Sequence, residues 1–205
     1  MTRKTFFLSI NTATAKTAVA LLENTNKPGS FKTVFFRNWE SKRNEAEKLI
    51  PQIKIALKKG SPDKIFAVCG PGAFTALRIG VTVANTLGYI YKAPIIPCPT
   101  TDFLTLSVPE NIQKNTAIIL KAGGEFVAVK LPSSKKLQRI EKKELEKIFA
   151  AAKTIKFIVS DMSAGEQKKC RLPAPVKWLP ESKIIPFNKV AGHFIAQFSA
   201  KKIRI

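Results

Sequence analysis

Short apolar runs separated by polar turns predict an α/β fold for the first hundred residues. The runs Lys4–Ile10, Ala18–Leu22 and Phe31–Phe36 each have the length and the residue types of a strand, and the polar turns between them predict an antiparallel meander. The run Ile65–Cys69 is continuous and apolar, which is typical of a strand buried on both faces. These four runs predict a sheet in the N-terminal half.

A helix is predicted between the third and fourth of these strands, over Asn44–Lys59. Apolar residues recur there at helical spacing and form one stripe, while most lysines and glutamates lie away from it. Pro51 removes one hydrogen bond within the helix. Burial against the chain's own sheet and contact with a partner protein both explain the stripe, whose members are Ala46, Leu49, Ile50, Ile53 and Leu57.

A second helix, Phe74–Tyr91, follows a tight turn made by Gly70, Pro71 and Gly72. Small residues recur every four positions along it and form a row on one side of the helix, which allows another backbone to approach closely. That backbone belongs either to the chain itself or to a partner. The row consists of Ala76, Gly80, Ala84 and Gly88.

The Gly70–Gly72 turn has two interpretations. A glycine-rich turn between a strand and a helix is able to bind phosphate through backbone N–H groups, and it is equally able to serve as a tight connection. The spacings of the Walker and Rossmann motifs are both absent. Arg78, one turn into the helix, is expected to reach an anion, a partner carboxylate or a backbone carbonyl.

The net charge of +21 is carried mainly by lysine, and only seven of the 35 basic residues are arginine. A solvated lysine-rich surface and weak attraction to nucleic acid both account for this composition. Three widely spaced cysteines indicate neither a disulfide framework nor a zinc site. No run of about 18 apolar residues or signal-peptide pattern is found, so we expect a cytoplasmic protein without a membrane span.

The pattern of the C-terminal half predicts a second lobe. We expect the first lobe to span residues 1–100 and the second to span residues 101–205. The predicted elements are the strands Ala117–Leu120 and Glu125–Leu131 around a glycine turn, a helix Ile140–Ala152, a strand Phe157–Val159 and a helix Val190–Phe198.

The segment from Gly70 to Gly80, GPGAFTALRIG, resembles the GPGSFTGLRIG signature of the TsaB (YeaZ) family, with Ala73 replacing serine and Ala76 replacing glycine. The segment Glu47–Pro51 also resembles part of the helix that carries HSERLLPLI in that family. The resemblance implies an actin-like ATPase fold (ASKHA, ribonuclease H-like) of two α/β lobes, the second of them shortened.

The resemblance also implies where a nucleotide would lie. The candidates near a phosphate lie in the first hairpin, in the Gly70–Gly72 turn (the signature turn) and one turn into the helix that follows it. They are Asn11, Thr12, Gly70, Pro71, Gly72 and Arg78. The family generally has Asp-Thr where this chain has Asn11-Thr12, and an amide lacks the anionic oxygen that magnesium prefers. We therefore expect no cofactor bound by this chain alone, with ATP acting at the interface of a complex.

The function implied by the resemblance is that of a non-catalytic scaffold. TsaB proteins pair with a second copy or with the catalytic subunit TsaD through the two helices, and this complex, with the ATPase TsaE, modifies an adenosine of tRNA. TsaD carries paired metal-binding histidines, whereas this chain has a single histidine, His193, so we expect neither a catalytic residue nor a metal site. The alternative is a free-standing actin-like nucleotide-binding protein or degenerate kinase.

Overall fold

The computed structural model describes residues 4–25, 27, 29–40, 44–134 and 136–200. The chain divides into two structural units, the first running to Phe103 and resuming at Pro186, the second spanning Leu104–Ile185. Each unit contains one five-stranded sheet. Two mixed α/β sheets with helices confirm the predicted fold class.

The first sheet has the order β3-β2-β1-β4-β5. Its strands β1, β2 and β3 form an antiparallel meander, and β4 and β5 continue it in parallel from β1. The helices of this unit are α1, α2 and the C-terminal α7, and α3 begins directly after β5. The bounds are β1 Phe6–Asn11, β2 Lys16–Asn24, β3 Phe31–Glu40, α1 Glu45–Leu57, β4 Lys64–Gly70, α2 Phe74–Tyr91, β5 Ile95–Pro99, α3 Thr100–Leu106 and α7 Phe187–Ala200.

Helices α1 and α2 pack on one face of the first sheet because both carry an apolar side. Leu49 and Ile53 of α1 and Ala84 of α2 belong to one buried cluster with β-strand residues such as Leu8 and Ile65. Burying a leucine or isoleucine side chain stabilises the fold by about 1.5–3 kcal/mol. This cluster therefore fixes both helices to the sheet.

The second sheet, β10-β9-β6-β7-β8, repeats the strand order of the first. Strands β6, β7 and β8 form an antiparallel meander, and β9 and β10 continue the sheet in parallel from β6. The bounds are α4 Glu110–Gln113, β6 Thr116–Lys121, β7 Phe126–Lys130, β8 Gln138–Glu141, α5 Leu145–Ala151, β9 Phe157–Ser160, α6 Ala164–Gln167 and β10 Lys177–Trp178, with two short 3-10 helices at Lys142–Glu144 and Glu181–Lys183.

The segment predicted as one helix, Ile140–Ala152, is divided in the structure. Its first residues belong to β8, which pairs with β7 through Phe126 and Glu141. A 3-10 turn follows, and α5 begins only at Leu145, which is fully buried. The prediction was wrong for the first part of the segment because strand pairing across the sheet overrides local helix preference.

The division predicted at 1–100 and 101–205 differs from the observed grouping in its last segment. Helix α7 belongs to the first unit, where the ring of Phe66 lies 6.1 Å from that of Phe187 and 5.5 Å from that of Phe194. Asn188 Nδ2 also donates a hydrogen bond to Thr33 Oγ1 at 3.0 Å. Aromatic packing and this bond connect the C-terminal helix to the first sheet.

Candidate functional site

The turn between β4 and α2 packs against the turn between β1 and β2. A Cβ atom added to Gly72 would lie 3.0 Å from the carbonyl oxygen of Ala13, and one added to Gly70 would lie 3.2 Å from the side chain of Leu77. Gly70 also has a φ of +110°, which L residues with side chains rarely adopt. The two glycines are thus required by close contacts within the chain.

Asn11 is buried and uses its side chain inside its own turn. Its Oδ1 accepts a hydrogen bond from Ala13 N at 2.9 Å, and its Nδ2 donates to Thr14 Oγ1 at 2.9 Å and to Lys16 O at 3.5 Å. This is the side-chain-to-backbone pattern by which asparagine stabilises turns. Both amide hydrogens of Asn11 are therefore engaged locally.

Thr12 lies against α2 at Gly80. A Cβ atom at Gly80 would approach Thr12 Oγ1 to 2.3 Å, and that hydroxyl is buried without a hydrogen-bond partner. The structure thus brings Thr12 to α2 and Gly72 to the adjacent first turn, as the phosphate hypothesis requires. Gly72 and Gly80 nevertheless meet the first turn through tight protein–protein contacts.

Arg78 lies on the exposed side of α2. Its guanidinium carbon is 5.3 Å from the centre of the Phe74 ring, a distance at which a cation and an aromatic ring attract each other. Phe74 itself is 74% exposed. The described contact of Arg78 is therefore with a surface aromatic residue.

The small-residue row of α2 packs against the chain's own structure, and its assignment to a partner interface stays a prediction. Ala76, Gly80 and Ala84 are buried. A Cβ atom at Gly88 would lie 3.2 Å from the carbonyl oxygen of Ala93, in the loop before β5. The physical reason is that α2 crosses its own sheet closely, which only small side chains allow.

The stripe on α1 is divided between interior and surface. Leu49 and Ile53 are buried in the core, and their assignment to a partner interface stays a prediction. Ala46 is exposed, Ile50 is 38% exposed and Leu57 is half-buried. These three residues form the edge of the stripe that remains accessible.

Two exposed aromatic residues of α2 were missed from the sequence. Phe74 and Tyr89 are 74% and 88% exposed. They are fifteen residues apart, so they lie within about 60° of each other around the helix and about 22 Å apart along it. Arg78 and Asn85 lie on the same arc, which is opposite Ala76 and Gly80 of the small-residue row. A helical projection of Phe74–Tyr91 would have identified this face.

Asp161 is the buried carboxyl group of the second unit. It follows β9, and its Oδ1 accepts a hydrogen bond from Lys121 N at 2.9 Å, while its Oδ2 is buried without a partner. Burial raises the pKa of Asp161 to about 6, and the bond from Lys121 N opposes that shift. The nearby ion pair between Lys121 Nζ and Glu166 Oε1 spans 3.5 Å.

The remaining polar groups form no catalytic constellation within the described residues. His193 Nε2 lies 2.8 Å from Gln197 Nε2 on the exposed side of α7. No group of three or more His, Cys, Asp and Glu side chains in these residues is arranged to hold a metal ion. No described helix is long and apolar enough to cross a membrane.

An open depression of about 410 Å³ lies at the start of β1, where Lys4, Phe6, Asp63, Tyr91 and Lys92 line it with Ser61 and Pro62. Because Phe6 begins β1 and Asn11 ends it, this depression and the signature turn lie at opposite ends of the strand.

The whole fold is similar to that of two solved structures from Pseudomonas aeruginosa. One is an uncharacterized protein with similarity to peptidase YeaZ, with a TM-score of 0.70 over 97% of this chain and 94% of that chain. The other is YeaZ, with a TM-score of 0.61 over 97% of this chain and 93% of that chain. Both are 17% identical to this chain and show the fold.

A curated relative is the tRNA N6-adenosine threonylcarbamoyltransferase of Persephonella marina, 38% identical over 60 residues. That match covers 27% of this chain and 17% of the relative's length. The model of the family TsaD, tRNA N6-adenosine threonylcarbamoyltransferase, matches residues 40–177, which is more than half of the chain. With this family match and a YeaZ-like fold over 97% of its length, the chain belongs to the TsaB/TsaD family of tRNA modification proteins.

Proposed function

We propose that the chain is a non-catalytic subunit that pairs with a TsaD-type enzyme and supports threonylcarbamoyl transfer to an adenosine of tRNA. The observation that carries this proposal is the exposed face of α2, where Phe74 and Tyr89 are 74% and 88% exposed. Large aromatic side chains at such positions are typical of the centres of protein interfaces. The chain also has one histidine, so it cannot form the paired-histidine motif of the catalytic subunit.

The proposed interface continues onto α1. Ala46, Ile50 and Leu57 are exposed or half-buried along this helix, which packs on the same face of the sheet as α2. Their partly accessible apolar surface adds to that of the two aromatic residues. A helix pair of the partner would bury this surface in a four-helix arrangement, and a second copy of the chain is the competing occupant.

ATP and TsaE act on the assembled complex in this proposal, and the cytoplasm is the expected location. The local hydrogen bonds of Asn11 support this division of roles, because both hydrogens of its amide are used within its own turn. A free-standing nucleotide-binding protein instead predicts micromolar binding of ATP to the isolated chain. Titration calorimetry of the isolated chain with Mg-ATP separates the two, and heat of binding at micromolar ATP would favour that alternative.

Charged substitutions on the exposed face test the pairing. We expect Tyr89→Asp to weaken binding to the TsaD-type protein of the same organism by at least about 30-fold, since truncating a central interface aromatic typically costs about 2 kcal/mol or more. The matched control is Leu137→Asp, which adds the same charge at a residue that is 36% exposed in the second unit. Equal affinity of both variants, measured by calorimetry, would argue against this interface.

A further inference from the structure

Four lysines meet at one edge of the second sheet. Strands β6, β9 and β10 are parallel neighbours, and Thr116, Phe157 and Lys177 are paired across their first residues. The lysines lie at or just before these strand starts, and all four are exposed. We call this group the basic edge, and its members are Lys114, Lys153, Lys156 and Lys177.

Backbone hydrogen bonds fix the basic edge. The carbonyl oxygen of Asn115 accepts bonds from Lys156 N at 2.9 Å and Phe157 N at 3.1 Å, and Lys177 N donates to Lys156 O at 3.1 Å. Asn115 Nδ2 also donates to Thr154 O at 2.8 Å. The three strand starts are therefore held together, so the lysines are presented on one rigid support.

No carboxylate offsets this charge nearby in the sequence. Residues 111–120, 147–160 and 167–180, which contain the basic edge, carry eight basic side chains and no acidic one. Elsewhere in the same unit, Lys121, Lys142 and Lys143 each pair with a glutamate. Within the described part of the chain, none of the four edge lysines has a carboxylate oxygen within 4.0 Å. The basic edge therefore has an uncompensated positive charge.

An aromatic ring lies within this charged group. The ammonium of Lys177 is 5.7 Å from the centre of the half-buried Phe157 ring. Lysines around an aromatic side chain are typical of surfaces that follow a nucleic-acid backbone, where the cations neutralise phosphates. The absence of arginine from the four positions favours phosphate contacts over the reading of base edges.

We propose that the basic edge is an RNA-binding surface that contacts the phosphate backbone without reading the sequence. This inference deepens the proposed function, on which its biological meaning rests, because it assigns the contact with tRNA to the second unit. The binding itself requires only this chain. Four lysine–phosphate contacts would contribute roughly −3 to the slope of log K against log salt concentration.

The test is fluorescence anisotropy of a labelled tRNA transcript titrated with the full chain over a salt series. We expect the double variant Lys156→Glu/Lys177→Glu to lose at least about tenfold in affinity and to reduce the magnitude of the slope by roughly 2. The matched control is Lys32→Glu/Lys189→Glu, which changes two exposed lysines of the first unit. Each double variant lowers the net charge from +21 to +17.

The proposal holds if only the first variant loses affinity while its thermal unfolding midpoint stays near that of the parent. Should it unfold, the milder pair Lys153→Gln/Lys156→Gln replaces it, with about a threefold loss and a slope change of roughly 2 expected. Equal losses in edge and control variants would overturn the proposal, as would no binding of tRNA by the parent chain. Binding to anionic phospholipid vesicles without binding to tRNA would also overturn it. Calorimetry with the TsaD-type protein measures pairing independently of tRNA binding, so the pairing proposal and the RNA-binding proposal can each fail without the other.

Discussion

Gly80 of α2 packs directly against Thr12 of the first turn, and a Cβ atom at position 80 would lie only 2.3 Å from Thr12 Oγ1. The sequence left open whether the chain itself or a partner protein approaches Gly80. In the structure Gly80 is buried inside the first unit. Helix α2 is therefore fixed to its own sheet at this point, and its opposite face is the accessible one.

We predict that Gly80→Ala destabilises the chain by about 1–3 kcal/mol, the usual cost of adding a methyl group to a well-packed site. Gly165→Ala is the matched control. Gly165 lies in another helix, α6, and a Cβ atom added there would meet nothing within 4 Å. Urea unfolding followed by circular dichroism measures both. A neutral Gly80→Ala would contradict the contact with Thr12.

Replacing Thr12 should offset the first substitution. Thr12 Oγ1 is buried without a hydrogen-bond partner, so its removal leaves no donor or acceptor unpaired. We therefore expect Thr12→Ala/Gly80→Ala to recover at least about 1 kcal/mol relative to the sum of the single variants. Additive effects of the two changes, measured in the same urea experiment, would show that the residues do not interact.

The stability of the second unit should depend on pH through Asp161. Burial raises the pKa of this carboxyl from 3.8 to about 6, so the folded state binds a proton more tightly than the unfolded state does. This contribution to stability is complete below about pH 4 and is lost as the pH rises through 6, with a size of about 3 kcal/mol. We expect unfolding of Asp161→Asn to lack this component between pH 4 and 7. An unchanged pH profile would contradict the assignment.

The three cysteines should differ in reactivity. Burial raises the pKa of all three thiols, but Cys98 and Cys170 are buried, whereas Cys69 is exposed near the end of β4. A disulfide reagent must reach the thiolate, so the two buried thiols react slowly and the exposed one reacts first. We expect one fast thiol per chain in native protein and three after denaturation, measured with a chromogenic disulfide. Cys69→Ser should abolish the fast phase, and its persistence would contradict this order.

The sequence predicted helix α2 well because its apolar periodicity and the preceding glycine turn define both ends, Phe74 and Tyr91. It also identified the small-residue row as a site of close approach. Which part of the chain approaches this row depends on contacts between residues far apart in the sequence. Only the fold shows that Gly80 packs against Thr12. Strand β8 and the docking of α7 likewise depend on contacts between distant residues, which local propensity does not encode.

For the candidate site too, the sequence predicted local features but not the contacts between distant residues. Asn11 and the Gly70–Gly72 turn lie at the same edge of the sheet, because the parallel strands β1 and β4 end at Asn11 and Gly70. Their polar groups were not predictable, since the Asn11 amide bonds within its own turn. The exposed aromatic residues Phe74 and Tyr89 were visible in the sequence, but apolar residues alone do not indicate which face of a helix is buried.

The central claim is tested most directly by the light-scattering mass of the chain, alone and mixed in equal amounts with the TsaD-type protein of the same organism. The account predicts a mixed complex whose mass is that of one chain plus one TsaD-type subunit, and predicts its loss with Tyr89→Asp but not with Leu137→Asp. A homodimer of the chain, if one forms, should be replaced by that complex. Two separate species in the mixture would contradict the account.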